Sequence, residues 1–417
     1  MVSDKKRISM KISLLLEREN FKKIFKNSLE SFLEDFTGKK HDVNWYSKRE
    51  KIPEGYSQKW YCNPLINSVF LKGANPNIFD SIIQEYLHNP LKPWRSPIQK
   101  LYLIISKHKY FASKMAKYVI EISPPIDNGK NKLIIGGNTK IRFIDVSDKK
   151  VYVILKKGFR EKYIKREIDV RKNFKYMPVP ELYSCSKNYT WYSEAYIIGK
   201  SPDRMDITEG HVALLDAVKY IHRMINDTKM EKHLYVYVEQ LIKRIDKNIQ
   251  DSTNIDLNTK NTLMDLSKEL TEHLNEYHDN VINVACCHGD FQPGNIINDG
   301  KKTWIFDWEY FTEKQIGYDL LVLLLKSRLS NSLSHNFKKI ITGELSSKDA
   351  QLINNWPEFR WDDEQFKKIY LILFLLEELD FHLDENNNDC FFDLSPGLKN
   401  ICDQITIILN ENKKFFG

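Results

Sequence analysis

The chain has little with which to cross-link itself or span a bilayer. Six cysteines are scattered along 417 residues, at Cys62, Cys185, Cys286, Cys287, Cys390 and Cys402. None forms a CxxC pair or a Cys/His spacing, so a zinc module is excluded, and they are too few for a disulfide scaffold of this length. Long apolar runs are missing as well. A membrane span needs about 18–20 uninterrupted apolar residues, whereas DLLVLLLKS and YLILFLLEELDF are short and end in charge. Both read as core helices. The run ISLLL near the N-terminus is too short for the apolar region of a signal peptide. The expected location is the cytoplasm, with any membrane contact peripheral. Charge of one sign is not in excess: 63 Lys and Arg against 56 Asp and Glu give a net +7. That modest balance, with no nucleic-acid motif, predicts no nucleic-acid partner.

What is present is a chain able to fold: 42% hydrophobic and 12% aromatic residues suffice for a sizeable core. Its texture changes twice. Residues 1–128 open with a helical periodicity (Ile12, Leu15, Leu16, Phe21, Ile24, Phe25, Leu29, Phe32, Leu33). An aromatic, Pro- and Asn-rich stretch with Trp45, Trp60, Pro64, Pro76, Pro90, Pro93 and Trp94 follows, and a second helix ends at Pro124-Pro125. From residue 129 to 200 the pattern is β: KLIIGG, KIRFIDV and KVYVILKKG, then a charged helix REKYIKREIDVRKNF, then ELYSCSKN and TWYSEAYIIG. Residues 201–417 are predominantly helical. The predicted fold is α+β and bilobal, a small antiparallel β lobe before a larger helical lobe, with an extra N-terminal region whose role is unassigned. Ligands commonly bind in the cleft between two such lobes.

One stretch interrupts the helices: ACCHGDFQPGNIINDGKKTWIFDWE, Ala285 to Glu309. Asp290, Asn295 and Asp307 are oxygen donors on two neighbouring turns. Phosphoryl transfer from a nucleotide needs such donors for Mg²⁺, a cation on the phosphates, a backbone loop over them, and a carboxylate to orient the acceptor hydroxyl. Candidates for the other parts precede the stretch. Gly136-Gly137 lies at a turn between strands, where a backbone can approach phosphates. Lys156 follows an apolar strand, and Glu167 stands eleven residues later on the charged helix. Lys157 is adjacent to Lys156, and strand alternation turns the two to opposite faces. Lys156 is the one expected in the cleft.

These residues resemble the aminoglycoside phosphotransferase and choline kinase superfamily, a branch of the protein-kinase-like fold. His288-Gly289-Asp290-Phe291-Gln292-Pro293-Gly294-Asn295 keeps His, Asp and Asn at the spacing of the protein-kinase catalytic loop, in its H-G-D form. IFDWE stands where protein kinases have D-F-G. YIHRM, with His222, is similar to a helix signature that precedes the loop. The resemblance covers residues 130–417 and implies an ATP- and Mg²⁺-dependent phosphotransferase acting on a small-molecule hydroxyl. In that scheme Asp290 is catalytic, Asn295 and Asp307 hold the metal, and Asp319 braces the loop. Gly136, Gly137, Lys156 and Glu167 serve the phosphates, while Ala195, Tyr196 and Ile197 form the adenine hinge. His288 is expected to hold the loop by hydrogen bonds.

The chain departs from the pattern in its glycine turn, since GGNTKIRF is not G-x-G-x-x-G. A sugar or surface-polysaccharide precursor is the expected acceptor. The alternatives are an aminoglycoside- or choline-type kinase and a nucleotide-binding module without transfer. A protein kinase is disfavoured, because ten residues between Glu309 and Leu320 leave no room for an activation loop. The acidic stretch Glu377 to Asp389 and the basic helix with Arg160, Lys162, Lys165, Arg166, Arg171 and Lys172 are both expected to be solvated faces.

Overall fold

The computed structural model describes residues 11–48, 50, 57–79, 96–108, 111–329, 332–356, 360–392 and 395–416. Pro90, Pro93 and Trp94 of the aromatic, proline-rich stretch lie outside them.

Two helices open the described chain, α1 (Ile12–Arg18) and α2 (Phe21–Thr37). Strands β1 (Asp42–Ser47), β2 (Gln58–Asn63) and β3 (Ser68–Leu71) follow, then α3 (Ser96–Lys107), α4 (Ala112–Met115) and β4 (Tyr118–Ser123). Next come β5 (Lys132–Gly136), β6 (Lys140–Asp145), β7 (Lys150–Leu155), α5 (Lys162–Asn173), β8 (Leu182–Cys185) and β9 (Trp191–Ala195). The nine strands form one antiparallel sheet in the order β1-β4-β2-β3-β5-β6-β7-β9-β8. The sheet runs without a gap across residue 128, because β3 pairs with β5 through Val69↔Ile134 and Phe70↔Leu133.

Alternation divides the sheet into two faces. On one, Ile134, Ile141, Phe143, Tyr152 and Ile154 meet Phe25, Leu29, Phe32 and Leu33 of α2 in a buried cluster. Aromatic edges fix this packing, with the Phe32 ring 5.6 Å from Phe143 and 5.4 Å from Tyr152. On the other face Leu133, Ile144, Val151, Val153 and Leu155 join Tyr163, Ile164 and Ile168 of α5 and the main core. This second face looks toward the helical lobe.

The α1–α2 break at Glu19-Asn20 has a local cause. Glu19 is extended (φ −146°), and its carboxylate meets the Lys156 ammonium at 2.5 Å, both side chains being fully buried. Lys156 shares the parity of Tyr152 and Ile154, so it faces the N-terminal helices and not the cleft. Burial pushes its ammonium down to about 8, against the opposing pull of Glu19.

The helical lobe contains α6 (Ile207–Thr228), α7 (Leu234–Asp251) and α8 (Leu257–Glu272) before the motif, and α9 (Tyr318–Leu325), α10 (Leu333–Thr342), α11 (Ser347–Asn354), α12 (Glu364–Asn386), α13 (Ser395–Glu411) and α14 (Lys413–Phe416) after it. Between them β10 (Met230–His233), β11 (Val281–Cys287) and β14 (Thr312–Gln315) form a small sheet. There β12 (Ile296–Asn298) and β13 (Thr303–Ile305) pair as a hairpin. The two apolar segments are core helices as expected: α9 is buried throughout, and α12 is buried from Ile369 to Leu379. Among the described residues no helix is long and apolar enough to cross a membrane.

Removing one partner of a buried ion pair strands the other charge, at about 3–5 kcal/mol. Glu19→Ala is therefore expected to lower stability to chemical denaturation by about that amount, with Glu19→Ala/Lys156→Met recovering most of the loss. Equal stability of Glu19→Ala and wild type would show that the pair is not formed.

Candidate active site

The β12–β13 hairpin sets the geometry. Ile296 pairs with Ile305, and just below them Phe306 N donates to Asn295 O at 2.9 Å. Asn295 and Asp307 thus flank the base of one hairpin. Asn295 Nδ2 donates to Asp290 O at 2.9 Å and to Asp290 Oδ2 at 2.8 Å, which turns its amide oxygen away as the group able to meet a cation. Asp307 sits in the left-handed region (φ 64°). Of the three oxygen donors read from the motif, Asp290 and Asn295 are hydrogen-bonded to each other, and Asp307 follows the residue that pairs with the Asn295 backbone.

The loop between β11 and the hairpin is held by buried groups. Asp319, at the start of α9, accepts from His288 N at 2.7 Å and Gly289 N at 3.0 Å. His288 Nδ1 accepts from Asp290 N at 3.3 Å, so Nε2 carries the proton and donates to Phe306 O at 2.8 Å. Both were the expected bracing roles. Gly289 is required twice over: its φ is +83°, and a Cβ there would lie 2.3 Å from Tyr310 O. His222, by contrast, packs edge-on against Trp356, and burial pushes its ring down to about 4.

The cation is not the expected one. Lys156 is on the α1–α2 face, where it binds Glu19 and the carbonyl of Asn138 and approaches that of Gly137. Lys157 is exposed. Lys140 takes the place instead, from the first position of β6. Its Nζ lies 2.9 Å from Glu167 Oε1, 2.7 Å from Asp307 Oδ1 and 3.1 Å from Glu309 Oε2. Arg142, two residues on and so on the same face, reaches Asp307 Oδ1 at 3.2 Å. The pairing read as Lys156–Glu167 is therefore Lys140–Glu167. The signal was in KIRFIDV, where a Lys and an Arg alternate with two apolar residues on one strand.

The charges in this cluster set one another. Burial would depress the Lys140 ammonium, but Asp307, Glu167 and Glu309 outweigh it and hold it well above the usual range. Burial would raise the Asp307 carboxyl, yet Lys140 and Arg142 keep it well below the ordinary carboxylate value. Glu167, buried beside Lys140 and Arg171, is likewise lowered on balance. Glu309 goes the other way: burial pushes it up to about 7 despite Lys140. Its carboxylate accepts from Thr139, and its carbonyl accepts from Arg166 at 3.0 Å.

The glycine turn is backed by the N-terminal region. Gly136 O accepts from Asn67 Nδ2 at 2.8 Å, and a Cβ at Gly136 would lie 2.9 Å from both Ile12 and Leu15 of α1. Across the cleft Asn138 Nδ2 donates to Glu385 Oε1 at 2.8 Å. At the expected hinge, Ala195 N donates to Glu181 O and Tyr196 N to Lys149 O, both at 2.9 Å. Ile197 is the first of the three beyond that ladder, and Lys200 then pairs with Asn298 of the β12–β13 hairpin.

Two solvated faces expected from sequence are partly buried. Glu377 and Glu378 are wholly enclosed in α12, because Tyr237 and Tyr318 donate to them and Arg328 Nη1 reaches Glu378 Oε2 at 2.5 Å. On α5, Arg171 is buried between Glu167 and Glu194. Sequence reasoning missed Arg328 altogether.

Comparison with known proteins agrees with the loop. Residues 180–336 match the family model Choline/ethanolamine kinase. The resemblance read from HGDFQPGN and IFDWE is thereby borne out over the segment that carries both. No curated relative matches the chain. Among solved structures, a choline/ethanolamine kinase family protein from Mesorhizobium loti is 15% identical, covering 76% of this chain and 97% of that one, with a TM-score of 0.40. Choline kinase from Cryptosporidium parvum Iowa II is 13% identical over 69% of this chain and 91% of that one, at 0.44. A thermostable mutant of the aminoglycoside phosphotransferase APH(4)-Ia is 14% identical over 66% and 91%, at 0.43. These are low likenesses, and the site's chemistry rests on the chain's own residues.

Gly289→Ala forces both a left-handed alanine and a clash with Tyr310 O. It is expected to cost about 1–3 kcal/mol in denaturant unfolding and to disorder the loop. Unchanged stability would mean that the loop is not held this tightly.

Proposed function

We propose that the chain is an ATP- and Mg²⁺-dependent phosphotransferase acting on a small-molecule hydroxyl, with a sugar or surface-polysaccharide precursor as the acceptor class. The supporting observation is that the Lys140–Asp307 ion pair and the Asn295–Asp290 hydrogen bond stand on the two sides of one hairpin base, with Glu167 holding Lys140 from α5. Phosphoryl transfer depends on positioning and charge neutralisation, and these residues supply both.

In this reading Asn295 and Asp307 would hold Mg²⁺, which when bound would neutralise phosphate charge. Their hard oxygens suit it, because Mg²⁺ takes few protein ligands and shares its shell with phosphates. Lys140 releases part of its hold on Asp307 and contacts the α- and β-phosphates while Glu167 keeps it in place. The Gly136–Thr139 turn lies over the phosphates, and the backbone of Ala195 to Ile197 takes the adenine. Asp290 orients the acceptor hydroxyl and receives its proton late, as the loose transition state collapses.

A metabolite extract incubated with Mg·ATP and the protein is expected to yield a species heavier by one phosphoryl group. Asp290→Asn should abolish it while Mg·ATP still raises the melting temperature. Lys140→Met should lower kcat/KM for ATP by about 10²–10³-fold, whereas Lys157→Met, on the exposed neighbour, should leave it within about twofold. Full turnover by Asp290→Asn would overturn the mechanism.

A further inference from the structure

Beside Asp290 stands a group that the transfer chemistry does not use. Arg328 follows α9 on a turn, its side chain 10% exposed. Its Nε donates to Asp290 Oδ1 at 2.7 Å and its Nη1 to Glu378 Oε2 at 2.5 Å. Its Nη2 reaches Gly289 O at 3.2 Å and Tyr318 Oη at 3.1 Å. The guanidinium carbon lies 3.9 Å from the centre of the Phe381 ring. Two carboxylates, a phenol, a carbonyl and an aromatic face therefore surround one cation. A carboxylate and aromatic enclosure of this kind is what recognises ammonium ligands elsewhere. Here the protein's own guanidinium fills it.

The fit is specific to arginine. A planar fork can meet Asp290 with one edge and Glu378 with another while stacking on Phe381, and a lysine ammonium cannot do all three. The same contacts fix the catalytic carboxylate. Asp290 Oδ1 accepts from Arg328, and Oδ2 accepts from Gln292 Nε2 at 2.7 Å and from Asn295. Arg328 also supplies positive charge between Asp290 and Glu378, two carboxylates that would otherwise attract a second cation.

We infer that Arg328 is a specificity-determining and positioning residue: it is the resident cation of the enclosure next to Asp290, so the acceptor presents an uncharged or anionic hydroxyl-bearing group there and not a quaternary ammonium. This rests on the phosphotransferase reading for the word acceptor, but not for the occupancy of the enclosure. A choline-type ammonium placed there would have to take the carboxylates and the ring that Arg328 already holds.

The test reads cation binding by calorimetry on the full chain, without turnover, using choline, tetramethylammonium and methylguanidinium as probes. Wild type is expected to bind none of them saturably up to tens of millimolar, and to form no phosphocholine with Mg·ATP. Arg328→Ala is expected to gain saturable millimolar binding of methylguanidinium. Arg328→Lys, which keeps the charge, should gain none and should still lose at least tenfold in Mg·ATP turnover. Should Arg328→Ala fail to fold, Arg328→Met, which retains the stem, carries the same measurement. Saturable choline binding or phosphocholine formation by wild type overturns the inference, as does a folded Arg328→Ala or Arg328→Met that binds no methylguanidinium. Absence of any Mg·ATP response in wild type would instead fail the phosphotransferase reading, and leaves the cation result to be judged on its own.

Discussion

One buried ammonium joins the two lobes. Lys140 leaves the β sheet on the cleft face and meets Glu167 from α5, Asp307 from the hairpin and Glu309 just beyond it. A charge taken from water is tolerated only where partners surround it, and these three come from two segments far apart in sequence, α5 and the end of the hairpin. The position of α5 against the sheet, the φ of Asp307 and the reach of β6 all have to agree for the cluster to exist. Arg142 and Arg171 extend it on either side, so the cleft surface is a charge network and not an isolated pair. Such a network holds its geometry through the low local dielectric of the cleft.

The N-terminal region serves that geometry from behind. Its strands lengthen the sheet through β3, and α1 closes on Gly136 so tightly that a side chain there would collide with Ile12 and Leu15. Asn67 and Lys156 bind the carbonyls of the glycine turn. The turn is thus pinned on its outer side by Asn67, Ile12 and Leu15 of the N-terminal region and by Lys156 at the end of β7. On its inner side it touches Glu309 and Glu385 of the helical lobe. That double attachment accounts for a turn lacking the usual spacing of glycines: rigidity comes from side chains outside the turn.

Much of this was legible in the sequence, and the exceptions share a cause. HGDFQPGN and IFDWE gave the loop and hairpin because local spacing along one chain determines them, and Asp319 announced itself by opening an apolar helix. From residue 129 onward the β and helical segments followed from periodicity, but the helix read as ending at Pro124-Pro125 stops at Met115 and gives way to β4, and β1 to β3 were not read as strands. Lys156 misled because which face of a strand looks into a cleft depends on what covers the other face, and α2 covers the face of Tyr152 and Ile154. Nothing within KVYVILKKG says that a helix more than a hundred residues earlier packs there. Arg328, Glu377 and Glu378 were invisible for the same reason: charged residues read as solvated until tertiary partners are known. The continuity of the sheet across residue 128 was hidden too, since strand pairing between β3 and β5 leaves no mark in composition.

We propose that metal and nucleotide phosphates meet at Asp307, opposed to Lys140. The most direct measurement is calorimetric titration of ADP into wild type and Asp307→Asn, each with Mg²⁺ and with a chelator. Wild type is expected to bind ADP at least tenfold more tightly with Mg²⁺, and Asp307→Asn to bind it equally in both conditions. A magnesium dependence that survives in Asp307→Asn would place the metal elsewhere and contradict the account.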